Sequence, residues 1–547
     1  MSTETSPHTA GFGTAPGDKG LKGGALGLVS SVVIGLASTA PAYSLAASLG
    51  LIVVIAGEKS PSIMLIAFIP MYLIAVAYRE LNEAEPDCGT TFTWAGRAFG
   101  PWMGWLGGWG IIAADVIVMA NLAQIAGSYT FQLFGADDLA NTLWSTVAGV
   151  IWIIVMTYIC YRGIEISARL QYVLLGTELV VLAAFAVVAL VRVYSGDAPD
   201  GSIVPSIGWL WPNGLGVSDL IDAVLIAVFL YWGWDTAVAV NEESDDPGKT
   251  PGRAAVLSTL LLVVTYVLVT VATVAFAGPG TTGIGLGNPD NAKDVFAAIG
   301  PAVFGDSGIG RFFVVLLIIS VLTSSAASTQ TTILPTARAA LSMGAYRAVP
   351  ERFARIHPRH LTPSYATWAM GIVSIVFYVG LTLISTNVLA DSIAAVGLLI
   401  AFYYGLTGFA CVWYYRKHLH GRNLWTKGVL PGLGGLMLLG AFVMASIGYA
   451  NPGGGTTTVF GIGGVFVIGI GALALGGVLM FAYSRVNPPF FRGETLVPGG
   501  YDLVLPPGAG PVPGGPTMGL PDTRERTVIA PDRSNLPPGQ EPLDPKR

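Results

Sequence analysis

The sequence predicts an all-α integral membrane protein with twelve transmembrane helices. Of its 547 residues, 53% are hydrophobic and only 11% are charged, whereas a soluble domain carries about 25% charged residues. The charges lie in short stretches between apolar runs, and these runs reach the roughly 20 residues that a helix needs to cross a bilayer. Because lipid cannot satisfy free backbone groups, such runs must be helical. The short alternating segments of a membrane β-barrel are not seen.

Twelve apolar runs are long enough to be membrane spans. The predicted spans are residues 26–57, 61–80, 101–133, 143–161, 167–193, 217–241, 254–277, 311–340, 363–386, 390–416, 427–449 and 458–484.

The distribution of basic residues predicts the orientation. With twelve spans and both termini in the cytoplasm, 24 of the 28 Lys and Arg residues fall on the cytoplasmic side and 4 on the outer side. This asymmetry is what the positive-inside rule requires, and an odd number of spans would destroy it. We therefore predict a multi-pass protein of the cell membrane with both termini inside.

The chain divides into four parts. Residues 1–24 and 485–547 are predicted to be disordered cytoplasmic tails, the second of which contains 14 of the 35 prolines and cannot bury a core. Residues 25–416 carry spans one to ten, the predicted core, and residues 417–484 carry spans eleven and twelve.

Composition argues against several functional classes. The net charge of −5 gives no basic surface for nucleic acid. The three cysteines match no metal or redox spacing, all five histidines lie in tails or loops, and no Gly-rich Walker loop is present. We therefore predict neither an enzyme nor a bound cofactor. The expected partner is the lipid bilayer.

The first span is too long for one straight crossing and contains helix-breaking residues. Pro41 has no N–H and clashes with the preceding turn, and Gly35, Ser38 and Thr39 before it have low helix propensity. We predict a break here rather than a simple kink. Transporters build binding sites from such discontinuous helices.

The sixth span contains a second candidate break, in the run Tyr231-Trp232-Gly233-Trp234-Asp235. A carboxylate inside an apolar run is costly unless it faces a cavity or caps a half-helix, so Asp235 is interpreted either as a cap or as a substrate ligand. Spans one and six are five apart, which is the spacing of two five-helix repeats that each open with a broken helix.

Several motifs resemble those of the amino acid–polyamine–organocation permeases. The resemblance covers residues 25–484 and its motifs occur in the family's order. They are ELNEAEPDCGTTF at 80–92, RAFGPWMGW with GW at 97–109, DTAVAVNEESDDPGKTP at 235–251, ARAALSMG at 337–344, AVP at 348–350 and HPRHLTP at 357–363.

This resemblance implies an inverted repeat of five plus five helices with two extra helices, and transport by alternating access. It also implies that the unwound parts of spans one and six bind the substrate, an amino acid or a related amine or polyamine. Many members carry Gly-Ser-Gly-Ile-Phe at the first break, whereas this chain is more similar there to the putrescine-importer branch. The substrate-binding residues so implied are Gly35, Leu36, Ala37, Ser38, Thr39, Ala40, Tyr231, Trp232, Gly233, Trp234 and Asp235.

Uphill transport requires a coupling ion, and the candidates are H⁺ and Na⁺. Glu178 lies in span five, where proton-coupled relatives often place a lysine, and its alternative role is structural. Thr323 and Ser324 in span eight resemble the Thr-Ser pair that binds Na⁺ in related sodium-coupled symporters, although such residues are also common at helix contacts. Asp115 in span three is a further intramembrane acid that could attract an amine.

The alternative functions are a channel and a nutrient sensor. A channel is expected to form a symmetric oligomer with pore-lining repeats, whereas this chain carries its own two-fold repeat. A nutrient sensor on the same fold, which binds substrate without transporting it, would have a similar sequence.

Overall fold

The computed structural model describes residues 19–140, 142–292, 294–305, 307–384 and 386–496. These residues form an almost entirely helical bundle, with one short antiparallel hairpin of β1 (Thr458–Val459) and β2 (Ile462–Gly463). The helices are α1 (Leu28–Thr39), α2 (Pro41–Ala56), α3 (Ser60–Ala84), α4 (Thr91–Phe99), α5 (Pro101–Leu133), α6 (Leu143–Arg162), α7 (Ile164–Ser195), α8 (Val217–Tyr231), α9 (Thr236–Ala239), α10 (Thr250–Ala277), α11 (Pro289–Ala292), α12 (Val295–Phe304), α13 (Gly308–Ala345), α14 (Ser364–Ile384), α15 (Thr386–Tyr415), α16 (Leu430–Tyr449), α17 (Gly464–Val486) and α18 (Pro488–Phe491).

Within the described residues, eleven helical segments are long and apolar enough to cross a membrane. One of them, Leu28–Ala84, contains 57 residues and includes α1, α2 and α3. As one continuous helix it would be about 85 Å long at 1.5 Å per residue, nearly three times the thickness of the hydrocarbon core. The all-α membrane fold is confirmed, while the count of twelve spans stays a prediction.

Both ends of Leu28–Ala84 contact the same short stretch of chain. Just before α1, the Leu26 N–H donates to the Glu243 carbonyl at 3.0 Å. Near the end of α3, the Asn82 side chain donates to the Pro247 carbonyl at 2.7 Å. The segment therefore runs along the bundle and returns, which is the geometry expected of two crossings.

The exposed surface of the helices is rich in large aliphatic side chains. On α7, Val173, Val180 and Val187 are each more than half exposed and are spaced seven residues apart, so they lie on one face. The opposite face of α7 is buried in the bundle. An apolar exposed stripe of this kind fits contact with lipid rather than with water.

Residues 19–24 and 485–496, which fall in the two predicted tails, belong to the described part of the chain and include buried side chains. Lys19 is 1% exposed although it lies in the predicted tail 1–24. In the predicted tail 485–547, Phe490 is fully buried and its ring lies 5.7 Å from that of Phe92. Polar composition predicted disorder, but a few buried side chains are enough to fix each segment. Residues 1–18 and 497–547 lie outside the described part of the chain.

The two described chain ends meet at Tyr346. The Lys19 Nζ lies 5.9 Å from the centre of the Tyr346 ring, and the Thr495 hydroxyl donates to the Tyr346 carbonyl at 2.6 Å. The N- and C-terminal segments therefore lie at the same end of the bundle, as an even number of crossings requires.

We predict that truncation after Val486 destabilises the protein, whereas truncation after Leu496 does not. The shorter chain loses Phe490 and Phe491, and removing a buried Phe side chain costs about 3–5 kcal/mol. The measurement is the thermal unfolding of both purified truncated proteins against the full chain. Equal unfolding temperatures for the two truncations would show that residues 487–496 add no stability.

Candidate functional site

The first predicted break is present at Ala40. Ala40 adopts the left-handed conformation, with φ 47° and ψ 66°, which costs a non-glycine residue about 1–2 kcal/mol. Pro41 is the first residue of α2. An N–H at this position has no acceptor within the helix, so its absence costs no hydrogen bond. The carbonyls freed by the break accept from hydroxyls, since Thr39 Oγ1 donates to the Leu36 carbonyl and Ser44 Oγ donates to the Thr39 carbonyl, both at 2.7 Å.

The second predicted break separates α8 from α9. Trp232 is extended, and Gly233 has a φ of 120° that side chains rarely permit. A Cβ atom on Gly233 would also lie 2.7 Å from the carbonyl of Ser38. Gly233 is therefore required both by its conformation and by the close approach of the first break.

The two breaks lie in direct contact. Besides the approach of Gly233 to Ser38, the Ser38 and Thr236 hydroxyls form a 2.8 Å hydrogen bond. The Ser38 carbonyl also accepts from the Ser328 hydroxyl at 2.9 Å, which ties both breaks to α13. The side-by-side arrangement expected of the two broken helices is thus observed.

A small enclosed cavity lies where the breaks meet. Its volume is about 10 Å³, which is about enough for one water molecule and too small for an amino acid. The cavity is lined by Ser38, Ile111, Asp115, Trp232, Gly233, Asp235, Thr236, Thr332 and Pro335.

Five of the predicted substrate-binding residues line this cavity, namely Ser38, Trp232, Gly233, Asp235 and Asp115. Gly35, Leu36, Ala37, Thr39, Ala40, Tyr231 and Trp234 do not line it.

Two of the predicted aromatic residues support helix packing instead. The Tyr231 hydroxyl donates to the Met64 carbonyl at 3.1 Å. Trp234 is fully buried and packs against the rings of Tyr78 and Tyr404. Their large apolar area fixes α8 and α9 against α3 and α15.

The two cavity carboxylates are held by hydroxyl groups. Asp235 Oδ2 accepts from the Tyr403 hydroxyl at 3.1 Å, and Tyr403 in turn accepts from the Trp232 ring N–H. Asp115 Oδ2 accepts from the Thr336 hydroxyl at 2.5 Å. Sequence reasoning missed Tyr403 and Thr336, although the dense run of hydroxyl residues from Ser324 to Thr336 in an apolar helix was a readable signal.

Glu178 lies on the buried face of α7 and reaches the first break. Buried Gln171, Leu175, Glu178 and Leu182 recur every three or four residues, which places them on one face of the helix. Glu178 Oε1 accepts from the Ala42 N–H at 2.6 Å and from the Ser324 hydroxyl at 2.8 Å. For Glu178 Oε2, the described residues provide no hydrogen-bond partner.

The two candidate ion-coupling residues of α13 differ in their contacts. Ser324 bonds to Glu178 and also accepts from the Tyr43 N–H at 3.2 Å. The Thr323 hydroxyl instead donates to the Ile319 and Ser320 carbonyls of its own helix. The structure therefore brings Ser324, but not the Thr323 hydroxyl, to Glu178.

A buried cluster of charges closes the end of the bundle where both described chain ends lie. The Lys19 ammonium is 3.0 Å from Asp87 Oδ2 and 2.5 Å from Glu242 Oε1. Next to it, Arg338 donates to both carboxylate oxygens of Glu243, at 2.7 and 2.8 Å. Each buried charge thus has a hydrogen-bonded counter-charge, as burial requires.

The Lys19 cluster contains residue types that can bind a metal ion, but its contacts are those of an ion-pair site. The ligand atoms of Asp87, Cys88 and Glu242 lie within 4.8 Å of one another. The Lys19 ammonium is bonded to both carboxylates, so it already supplies the positive charge that a metal ion would bring.

The ionisation of this cluster follows from its contacts. Burial by itself raises the pKa of the Asp87 carboxyl, but the Lys19 ammonium and hydrogen bonds from Gly89 and Ser342 outweigh it and lower the pKa to about 2. Burial by itself lowers the pKa of Lys19, but the nearby carboxylates raise it well above its usual value. Because the pKa of Asp87 is lowered on folding, its contribution to stability is complete above about pH 4 and is lost as the pH falls through about 2.

Comparisons with known proteins agree on one family. A family model described as "Amino acid permease" matches residues 24–475. An uncharacterized transporter of Mycobacterium tuberculosis is 26% identical over 348 residues, which are 64% of this chain and 72% of the relative. A branched-chain amino acid permease of Lactococcus lactis is 25% identical over 384 residues, 66% of this chain and 75% of the relative. A vacuolar cationic amino acid transporter of Arabidopsis thaliana is 23% identical over 356 residues, 62% of this chain and 54% of the relative.

We predict that Lys19→Met strongly destabilises the protein, whereas Lys22→Met does not. The first change leaves Asp87 and Glu242 buried without their ammonium, and breaking a buried ion pair costs about 3–5 kcal/mol. Lys22 pairs with Glu165 at 2.9 Å, but both side chains are more than 40% exposed, and exposed pairs contribute about 0–1 kcal/mol. Thermal unfolding of the two purified variants compares them, and an equal effect would place Lys19 among ordinary surface lysines.

Proposed function

Because the chain belongs to the amino acid permease family, we propose that it is a secondary active transporter that moves amino acids or related amines by alternating access. The observation that carries the proposal is the direct contact between the two helix breaks, at Gly233 and Ser38. Family membership supports an amino acid transporter rather than an enzyme. The names of two relatives, a branched-chain amino acid permease and a cationic amino acid transporter, support an amino acid substrate.

The proposed substrate site is the cavity between the breaks. It combines backbone freed from two helices with the hydroxyls of Ser38, Thr236 and Thr332, and such groups bind small polar molecules in a bundle. The cavity holds only about one water molecule in this conformation. Substrate entry therefore requires the half-helices to separate, which is the movement that alternating access provides.

Glu178 is the proposed coupling group. An unpaired carboxylate inside a membrane protein costs at least about 2.5 kcal/mol on insertion scales, and it persists when it is protonated or bound to a cation. Oε1 is engaged by Ala42 and Ser324, while Oε2 is buried and has no partner among the described residues. A proton fits at Oε2. A sodium ion would find the carboxylate and the Ser324 oxygen, which are ligands that a hard cation prefers.

Coupling follows from the contact between Glu178 and α2. The Ala42 N–H is in the first turn of α2, two residues after the left-handed Ala40. Protonation or cation binding at Glu178 weakens a charge-assisted hydrogen bond to this turn. The ion is thereby linked to the position of the half-helix that forms the substrate site.

We place both chain ends in the cytoplasm of a cell-membrane protein. The basic asymmetry of the predicted loops supports this orientation, and the contacts of both described ends with Tyr346 support placing the two ends on the same side. Labelling of single cysteines from outside intact cells is expected near Lys59 and Asp197. Labelling near Lys19 from outside would contradict this orientation.

We predict that Glu178→Gln retains folding and substrate binding but loses uphill accumulation. The Gln side-chain carbonyl can still accept from Ala42 and Ser324, but the residue no longer gains and loses a proton or a charge. The measurement is gradient-driven uptake into proteoliposomes, together with counterflow, which needs no ion gradient. Full accumulation by Glu178→Gln would remove the coupling role and leave Glu178 as a structural partner of α2.

The coupling ion is identified by matched gradients and a matched pair of variants. Uptake driven by a pH gradient alone indicates H⁺, and uptake driven by a Na⁺ gradient at constant pH indicates Na⁺. With Na⁺, Ser324→Ala is expected to raise the Na⁺ concentration needed for half-maximal uptake more than Thr323→Ala does, because only Ser324 bonds to Glu178. The opposite order would place the ion away from Glu178.

A further inference from the structure

The cavity between the breaks carries two acids and no base. Asp115 from α5 and Asp235 from the second break both line it, and among the described residues no lysine or arginine does. The hydrogen bonds that these carboxylates accept come from the neutral hydroxyls of Thr336 and Tyr403. The cavity therefore has an excess of acidic and acceptor groups over basic groups.

The amides that could hold an anion at the first break already have partners. Pro41 has no N–H, the Ala42 N–H donates to Glu178, and the Tyr43 N–H donates to Ser324. The positive end of α2 is thus directed to a carboxylate of the protein itself. This leaves Asp115 and Asp235 as the ionisable side chains that line the cavity.

Two buried carboxylates in one closed space repel each other and lack the solvent that would stabilise them. Neutral hydroxyl donors satisfy some of their lone pairs but bring no counter-charge. A ligand with two ammonium groups supplies one counter-charge to each acid. The ring of Trp232, which also lines the cavity, adds a surface against which an ammonium group can pack.

We propose that the substrate carries two ammonium groups, one paired with Asp115 and the other with Asp235. Two kinds of molecule share this chemistry, a basic amino acid and an unbranched diamine of similar length. A basic amino acid also needs donors for its carboxylate, and the hydroxyls of Ser38, Thr236 and Thr332 are the lining groups that can provide them. This inference rests on the proposed transport function and names its substrate class.

The test compares four ligands that differ by one charged group at a time. Lysine has two ammonium groups and a carboxylate, and norleucine lacks only the terminal amine. Cadaverine has two ammonium groups and no carboxylate, and n-pentylamine has one. The full-length purified protein is titrated with each ligand at fixed pH and ionic strength, with thermal unfolding as the measure of binding, and uptake into proteoliposomes is measured in parallel.

Lysine, cadaverine or both are expected to bind at least tenfold more tightly than norleucine and n-pentylamine. The order of lysine and cadaverine distinguishes an amino acid site from a diamine site. Equal or tighter binding of norleucine would overturn the inference. If a two-ammonium ligand binds but is not taken up, the proposed transport function is wrong while the substrate class stands. If norleucine is taken up in preference to lysine, the protein is a transporter but this substrate class is wrong.

Two variants test whether Asp115 and Asp235 pair with the ammonium groups of the ligand. Asp115→Asn and Asp235→Asn keep the shape of each side chain. Each variant is expected to weaken the binding of lysine and cadaverine at least tenfold, and to reduce the difference in affinity between these ligands and those with one ammonium group. Asp294→Asn is the matched control, because Asp294 is also a carboxylate bonded to a tyrosine hydroxyl, Tyr129 at 2.7 Å, but does not line the cavity. Unchanged preference in both cavity variants would refute the pairing, and the ligand series on the unmodified chain decides the inference if a variant fails to fold.

Discussion

A break in a buried helix exposes backbone groups that apolar surroundings cannot satisfy, and this constraint organises the structure around Ala40. Each freed group there finds a specific partner. The Ala42 N–H donates to Glu178, the Ser38 carbonyl accepts from Ser328, and the Thr39 carbonyl accepts from Ser44. The first two partners belong to α7 and α13, so satisfying one break fixes three helices relative to one another. An orphaned buried amide or carbonyl costs about 1–3 kcal/mol, so Ser324 and Ser328 of α13 stabilise the break by bonding to the Tyr43 N–H and the Ser38 carbonyl.

At the end of the bundle where both described chain ends lie, buried charges also require partners, and here the partners are opposite charges. Arg338 of α13 is buried with Glu243, which follows α9, and Lys19 is buried with Asp87, which follows α3. These pairs join segments that are far apart in the sequence. If this end of the bundle opens in the proposed alternating-access cycle, the Lys19 and Arg338 pairs must each either separate or move as a unit with both of their segments.

The elements that were predictable from the sequence depend on local patterns. Apolar run length predicted membrane-spanning helices, and Pro41 predicted the first break, which the structure shows at Ala40. The second break was predicted from one glycine and one carboxylate within an apolar run. Each of these signals is contained in fewer than about 35 residues and depends on no distant contact.

The features that were missed depend on partners distant in the sequence. Lys19 stands in a polar stretch typical of disorder, and Phe490 lies in a proline-rich region, yet both are buried by contacts with residues far away in the chain. The bonds of Thr336 to Asp115 and of Tyr403 to Asp235 span 221 and 168 residues. Composition measures whether a segment can form its own core, and it carries no information about a core that the rest of the protein provides.

The contacts form a continuous path from the proposed coupling group to the proposed substrate cavity. Glu178 bonds to Ala42, Ala42 lies two residues after the left-handed Ala40, and Ser38 of the same break contacts Gly233 in the cavity wall. A hydrogen bond to a charged group contributes about 1.5–3 kcal/mol, and coupling between two sites is typically about 1–3 kcal/mol. A change of charge at Glu178 therefore alters one interaction by an amount comparable with the entire coupling energy. The broken helix forms part of both proposed sites, so the proposed ion and substrate would be connected through it without a long-range rearrangement.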